Sequence, residues 1–124
     1  MVCSSEPQPE NGCSHTVDNN LDNRWSASGF PQWVQVDLGD VYSIGGVNVH
    51  PFKNRAYQYY VEVKTDADAP YVPVVNRSGN TQGGSMIADT FSPVPARYVR
   101  LRVESAYNYS GPWVSIREWQ VLRN

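Results

Sequence analysis

Apolar and polar residues alternate along several short segments of this chain, which is the pattern of a half-buried β-strand. Residues 33–39 and 98–104 show it most clearly, because every second residue there is apolar: Val34, Val36, Leu38, Val99, Leu101 and Val103. Similar stretches predict strands at 47–49, 59–65, 86–91 and 114–122. Residues 71–75 are interrupted by Pro73, which predicts an edge strand or an irregular link.

Turn-forming residues separate these segments at intervals of roughly eight to twelve residues, a spacing typical of β-sandwiches and barrels. No window repeats with the period of a helix. The chain has 124 residues, the size of one domain. We therefore expect an all-β fold, with one sandwich over residues 14–124 and a loop or tail at 1–13.

The last predicted strand contains an irregularity. Ile116 and Trp119 cannot both face the core if the strand alternates strictly. A β-bulge between them would turn both inward and redirect the carboxylate of Glu118. Two earlier tryptophans, Trp25 and Trp33, open strands and are predicted to be core aromatics.

Charge and hydropathy argue against two classes of protein, those that bind nucleic acids and those that span a membrane. The formal net charge is −2, which argues against a protein that binds a nucleic acid backbone. No apolar run approaches the roughly 20 residues that cross a bilayer. No charged and then apolar signal segment precedes Val2. We therefore expect Met1 to be an added start on a module cut from a longer protein.

The chain has two cysteines, Cys3 and Cys13, in a segment rich in serine, proline and glutamate. A disulfide between them would constrain the unfolded chain by about 3 kcal/mol and would indicate an oxidising compartment, hence secretion or a cell surface. The alternative is two inert thiols in a loop. A zinc site would need more ligands than these two and His15.

Oxygen-bearing side chains are dense in one short run, at Asp18, Asn20, Asp22 and Asn23. Calcium takes six to eight such ligands in flexible geometry, so the run predicts a calcium site. The spacing is not that of an EF-hand, whose loop has glycine at its sixth position and glutamate at its twelfth. The alternative is an Asx-turn in which Asp18 and Asn20 bond to backbone amides.

Two further segments carry groups suited to sugar binding. Residues 107–113 contain three aromatics, Tyr107, Tyr109 and Trp113, of which at least one is expected to be an exposed platform. Flat aromatics with polar tips give large contact area at low entropic cost. Residues 50–57 join two strands and offer mixed hydrogen-bonding groups on His50, Asn54 and Arg55. Lys53 beside Arg55 favours an acidic glycan. Alternatively, His50 is a strand-end side chain bonded to a neighbouring carbonyl.

The order of these segments resembles the discoidin, or coagulation factor C-type, domain. More broadly it resembles the galactose-binding-like jelly roll that includes the family 32 carbohydrate-binding modules. The resemblance covers residues 16–122 and rests on the ordered set 18–26, 33–39, 44–47, 60–63, 91–101 and 115–121. The chain departs from the family pattern at Asn19, where glycine is usual, and at Asn23, where threonine is usual. The family's first strand is not recognisable before Ser14.

The resemblance implies a structural calcium ion that ties the first and last segments together. Its predicted ligands are the side chains of Asp18, Asn23 and Glu118. Backbone carbonyls are expected from His15 or Thr16, and from near Asn20 and Trp119. It also implies that the loop at 107–113 carries a stacking aromatic. His50, Asn54 and Arg55 are the counterparts of the residues that grip hydroxyls in galactose-type modules.

The function implied is a non-catalytic carbohydrate-binding module that targets a secreted polysaccharide-degrading enzyme to a galactose-type or uronic-acid-containing glycan. The alternatives are a discoidin-type adhesion module for a protein or phospholipid surface and a structural spacer. Catalysis is not expected, because the chain lacks a nucleophile-elbow serine motif, a His-Glu-x-x-His motif and a phosphate-binding glycine loop.

Overall fold

The fold consists of β-strands that pair antiparallel. The structure, a computed structural model, describes residues 2–3 and 24–124. Its strands are β1 (Val2–Cys3), β2 (Trp25–Ser28), β3 (Gln32–Pro51), β4 (Ala56–Lys64), β5 (Val72–Arg77), β6 (Ile87–Tyr107) and β7 (Trp113–Arg123). A 3-10 turn, Phe52–Asn54, joins β3 to β4. The described ranges contain no α-helix, and the all-β prediction is confirmed.

β3 and β6 form one long antiparallel ribbon whose register shifts near its middle, between Asp37 and Tyr42. A straight strand of the 20 residues in β3 would be roughly 66 Å long. Only four residues separate the end of β3 from Ala56, which pairs with Tyr107 at the other end of the ribbon. Such a connection reaches about 18 Å at most, so the ribbon must fold over at its irregular middle.

The folded ribbon gives the sandwich its two layers. One layer contains β2, β7, the second half of β3 and the first half of β6. The other contains β1, the first half of β3, the second half of β6, β4 and β5. We call the end with residues 52–55 and 108–112 the loop pole, and the end where the ribbon folds the far pole.

The core lies between the two layers. Its largest buried side chains include Trp25, Trp119, Tyr57 and Tyr59, each at most 1% exposed. The predicted inward residues of β6 are buried as expected. Trp33, however, is half-buried on the outer face, where Arg100 approaches its ring, so its assignment to the core is wrong. The reason is alternation, because Val34 takes the inward position beside it.

The bulge predicted in the last strand is confirmed. The register of β3 against β7 shifts between His50, opposite Glu118, and Pro51, opposite Ile116. One extra residue, Arg117, is thereby accommodated. Ile116, Glu118 and Trp119 are all at most 2% exposed.

The segment predicted as a loop or tail at 1–13 contributes a strand at its start, since Val2 and Cys3 pair with Gln35 and Val34 of β3. Two residues are too few to show an alternating pattern, which is why the sequence did not predict β1. Cys3 is disulfide-bonded. Its predicted partner Cys13 lies outside the described residues, as does the remainder of segment 4–23.

An ion-pair network covers the outer face of the second layer. Glu62, 6% exposed, accepts hydrogen bonds from Arg100 at 3.0 Å and Arg102 at 3.1 Å. The ring of Tyr71 lies 4.1 Å from the Arg100 guanidinium. Burial raises the pKa of Tyr71 to about 12. These arginines are thus neutralised within the fold.

Candidate functional site

Two loops meet at the loop pole. Pairing of Ala56 with Tyr107 places the β3–β4 connection beside the β6–β7 connection. Lys53, Asn54 and Asn108 each adopt left-handed backbone, with φ between 54° and 55°. Asparagine tolerates this conformation better than most residues, so these turns can be tight without glycine. Side chains on both loops therefore face one another.

The hydroxyl of Tyr57 fixes the base of the site. It donates a hydrogen bond to the carbonyl of Trp113 at 3.0 Å and accepts one from the backbone N–H of Ser115 at 2.8 Å. It also accepts one from Nη1 of Arg55 at 3.0 Å. Burial raises the pKa of Tyr57, so the phenol keeps its proton at neutral pH. One oxygen thus ties β4 to β7 and positions Arg55.

The guanidinium of Arg55 lies between two aromatic rings. Its Cζ is 4.1 Å from the centroid of Tyr109 and 5.5 Å from that of Phe52. Such stacking holds the planar group in one orientation while leaving its edge available for hydrogen bonds. Arg55 is half-buried and forms no ion pair with any carboxylate in the described part of the chain.

These residues enclose a cleft of about 150 Å³. Because liquid water occupies about 30 Å³ per molecule, the space corresponds to roughly five waters. It is lined by Arg24, Ser26, Phe52, Arg55, Trp113 and Ser115. Ser26 and Ser115 are hydrogen-bonded to each other at 2.9 Å, and Arg24 Nε donates to Ser26 at 3.1 Å. The cleft therefore combines two aromatic surfaces, two hydroxyls and two guanidinium groups.

Tyr109, whose ring contacts Arg55, also lines an open depression together with Ala106, Asn108 and Ser110. A Cβ at Gly111 would stand 2.2 Å from the Tyr109 hydroxyl, so only glycine lets the ring pack there. Tyr107 is 50% exposed and lines neither space. The loop thus presents Tyr107 to solvent and sets the ring of Tyr109 against Arg55.

The structure brings three of the six predicted ligand-binding residues together: Arg55, Tyr109 and Trp113. Asn54 is exposed and does not line the cleft. Its carbonyl accepts a hydrogen bond from the N–H of Gly84 at 3.2 Å, which fastens the loop to its neighbour.

His50 also lies outside the cleft lining. Its Nδ1 is 3.0 Å from the carbonyl oxygen of Ser85, the contact of a strand-end side chain with a neighbouring carbonyl. Its Nε2 is buried with no hydrogen-bond partner among the described residues. This geometry matches the alternative that the sequence left open for His50.

Four of the six predicted calcium ligands, Thr16, Asp18, Asn20 and Asn23, lie outside the described residues. The other two, Glu118 and Trp119, are buried on β7. Within residues 2–3 and 24–124, no group of three or more His, Cys, Asp or Glu side chains could hold a metal ion. Calcium therefore stays a prediction.

Sequence reasoning missed five residues of the site: Arg24, Ser26, Phe52, Tyr57 and Ser115. Phe52 lies in the loop that was selected, but a single phenylalanine carries no pattern. Arg24 and Ser26 reach the site through the pairing of β2 with β7, which places Ser26 opposite Ser115. This pairing joins distant parts of the chain, and no local signal predicts it.

A separate groove lies at the far pole. It has a volume of about 360 Å³ and mostly apolar walls, including Val63, Val72, Val74 and Val94. Among the described residues that line it, Lys64 alone is charged. The groove offers few partners for hydroxyl groups, in contrast to the cleft at the loop pole.

Comparison with known proteins gives a family match. The profile of the F5/8 type C domain matches residues 1–119, nearly the whole chain. A search of curated protein sequences finds no match. No helix within residues 2–3 and 24–124 has the length and apolar character needed to span a membrane.

Several solved structures of similar fold are carbohydrate-binding modules. Chitosan-binding module 2 from a chitosanase/glucanase of Paenibacillus sp. IK-5, in complex with chitotriose, has a TM-score of 0.85 at 25% identity. The match covers 98% of this chain and 93% of that chain. The CBM32 of AlyQ, in complex with 4,5-unsaturated mannuronic acid, has a TM-score of 0.78 at 25% identity, with coverage of 98% and 93%. A pectin-binding module has a TM-score of 0.78 at 26% identity, with coverage of 97% and 86%.

Proposed function

The chain belongs to the F5/8 type C domain family, and we propose that it is a non-catalytic carbohydrate-binding module whose binding site is the cleft at the loop pole. The arrangement that carries this proposal is the stack of Tyr109 on Arg55 beside Trp113. Aromatic rings pack against the apolar C–H faces of pyranose rings, and the guanidinium and serine hydroxyls bond to sugar hydroxyls.

The proposal that the module only binds is supported by the chemistry of the cleft. A glycosidase needs two carboxyl groups placed across the scissile bond. Among residues 2–3 and 24–124, those that line the cleft include no carboxylate. The described lining groups, which are guanidiniums, hydroxyls and aromatic rings, suit the binding and orientation of a ligand.

We further propose that the module holds a secreted polysaccharide-degrading enzyme close to its substrate. One structural neighbour derives from a chitosanase/glucanase, which supports this placement. The disulfide at Cys3 suits an oxidising compartment. Weak binding by one module raises the effective concentration of an attached catalytic domain near its polymer.

The predicted calcium ion remains part of the proposal. Glu118 is 2% exposed, and a buried carboxylate is stabilised by positive charge or hydrogen-bond donors. Calcium prefers such oxygen ligands, so Glu118 fits the predicted set. The ion would neutralise this carboxylate and tie segment 16–23 to β7. Its role would be structural, away from the sugar.

Affinity electrophoresis against a panel of neutral and acidic polysaccharides tests the proposal. We expect retardation by at least one polymer and its loss on Tyr109→Ala or Trp113→Ala. Tyr98→Ala is the matched control, because Tyr98 lies on the outer face of the second layer. Binding to phospholipid vesicles without any retardation would support the adhesion alternative. Binding to neither would leave only a spacer role and contradict the proposal.

A further inference from the structure

The charge of the cleft indicates which sugars it accepts. We propose that the cleft binds an acidic sugar, and that Arg55 receives the carboxylate of a uronic acid unit. This inference rests on the proposed function, since it names the ligand class of the same site. Three observations support it: the contacts that orient Arg55, the lack of an ion pair to Arg55 in the described part of the chain, and the residues that line the cleft.

Other arginines of the fold combine a ring contact with a carboxylate partner. Arg97 approaches Tyr98 and pairs with Asp37. Arg100 approaches Tyr71 and pairs with Glu62. Arg97 and Arg100 thus each combine an aromatic ring with a carboxylate, so one arginine of this fold can make both contacts at once. A carboxylate supplied by a ligand would complete the same arrangement at Arg55.

Arg55 is oriented before any ligand arrives. Tyr109 and Phe52 contact its guanidinium, and Tyr57 accepts one of its five N–H groups. The remaining donors are sufficient for a bidentate bond to a carboxylate. Because the side chain is already ordered, little rotamer entropy is lost when the ligand binds.

The cleft walls favour negative charge. None of the described residues that line the cleft is acidic, and Arg55 supplies a positive charge there. Lys53 adds another positive charge, with Nζ at 5.6 Å from the Phe52 ring. A cationic amino sugar polymer such as chitosan would be repelled here, whereas the carboxylate of a galacturonic or mannuronic acid unit would be attracted.

The cleft is small and open to solvent. Its volume of about 150 Å³ is on the scale of a single sugar unit. The open depression beside Asn108 and Ser110 offers room for a neighbouring unit of the chain. We therefore expect one uronic acid unit to give most of the affinity and its neighbours to give less.

Isothermal titration with trigalacturonate and with its fully methyl-esterified form tests this inference on the unmodified protein. We expect the acid to bind at least about tenfold more tightly, because the ester removes the charge and keeps the sugar. The preference should diminish as salt rises from about 0.05 to 0.5 M. Trimannuronate and its ester repeat the comparison for the other uronic acid. Chitotriose should bind weakly or not at all.

The variants Arg55→Gln and Arg55→Lys test whether the preference for the acid depends on Arg55. Glutamine should reduce the acid's affinity to that of the ester, and lysine, which lacks the planar fork, should restore only part of it. Arg123→Gln is the matched control. It removes the same positive charge, but Arg123 contacts Tyr42 at the far pole, away from the cleft. Thermal melting of each variant checks that it is folded.

The possible outcomes separate the two proposals. Equal affinity for acid and ester in both pairs, or tighter binding of chitotriose, would overturn the acidic-sugar inference and leave carbohydrate binding intact. Preference for the acid that survives Arg55→Gln would overturn the role of Arg55. Absence of binding to every saccharide would contradict the proposed function itself.

Discussion

At the scale of single residues, Tyr57 supports the candidate site through three hydrogen bonds of its hydroxyl. Its hydroxyl bonds to Trp113, Ser115 and Arg55, so it connects the two layers and both ligand loops. This role was not predicted from the sequence, which places Tyr57 at the end of the connection 50–57 and shows no partner for its hydroxyl. Its role is visible only once β4 and β7 are placed side by side.

Tyr57→Phe tests that role. The substitution leaves the buried N–H of Ser115 without its acceptor, so we expect the free energy of unfolding to fall by about 1–3 kcal/mol. Saccharide affinity should fall as well, because Arg55 loses one of its fixed contacts. Urea denaturation and titration calorimetry measure the two effects.

The control for this substitution is Tyr60→Phe. Tyr60 contacts Arg102 with its ring, and its hydroxyl makes no hydrogen bond in the described part of the chain. We expect this variant to keep both stability and affinity. If Tyr57→Phe behaved in the same way, Tyr57 would not be the support of the site.

Residue-level prediction selects side chains by their own chemistry. Arg55, Tyr109 and Trp113, predicted as a hydrogen-bond donor and two flat rings, lie close together in the structure, and their binding of a sugar stays a prediction. His50 was chosen on the same grounds, but the carbonyl of Ser85 occupies its Nδ1. The loop that supplies this carbonyl is remote in sequence, so its approach was not predictable.

At the scale of elements, the fold depends on the corner where the β3–β6 ribbon folds over. Asp37 accepts hydrogen bonds there from Arg97 Nε at 2.9 Å and from the N–H of Gly39 at 2.8 Å. Gly39 has a φ of 87°, which favours glycine. These contacts join the two strands of the ribbon at the position where their register shifts.

The Asp37–Arg97 pair makes the stability of the fold depend on pH, and the lowered pKa of Asp37 sets the direction of that dependence. Hydrogen bonds from Arg97, and then from Gly39, hold the pKa of Asp37 below its ordinary value of 3.8. A lowered pKa in the folded state means that the stabilisation is present above pH 3.8 and is lost as the pH falls through the lower value. The pair is exposed, so the effect should be small.

Thermal melting of the protein and of Asp37→Asn from neutral to strongly acidic pH measures this dependence. We expect the protein to melt higher than the variant near neutrality and the difference to shrink below pH 3.8. Asp66→Asn is the control, since Asp66 accepts a bond from the N–H of Asp68 and forms no ion pair within the described part of the chain. A difference that grew in acid would contradict the assignment.

Element prediction worked where alternation is uninterrupted, as in residues 98–104 of β6. The edge position of β5 and the bulge beside Glu118 also follow from local pattern, from Pro73 and from the spacing of two buried residues. That residues 33–39 and 47–49 belong to one strand, β3, could not be foreseen. The irregular stretch between them reads as a turn, and only pairing with β6 makes it continuous.

At the scale of the whole molecule, the predicted calcium ion would tie the first and last segments of the sandwich together. Addition of a chelator should then lower the melting temperature, and excess calcium should restore it. A ligand that binds only the folded state at 100 times its Kd adds about 2.7 kcal/mol. The chelator experiment is run under non-reducing conditions, so that the disulfide at Cys3 is kept.

Glu118→Gln should remove the response to chelator, because the variant lacks the carboxylate proposed to bind the ion. Glu104→Gln is the matched control, since Glu104 is partly exposed and pairs with Arg102. A melting temperature that chelator leaves unchanged in the unmodified protein would argue against the ion. That result would leave the proposed sugar-binding cleft untouched, because the ion is not part of the cleft.

The two poles of the sandwich differ in chemistry, and this difference predicts which pole binds sugar. The loop pole holds the aromatic, arginine-lined cleft, and the far pole holds an apolar groove. Chemical-shift mapping of the ¹⁵N-labelled protein with trigalacturonate tests directly which pole binds sugar. The account predicts shifts at the Trp113 indole, the Arg55 side chain and the amides of 107–115. Shifts confined to residues around Val63 and Val94, or no shifts with any saccharide, would contradict it.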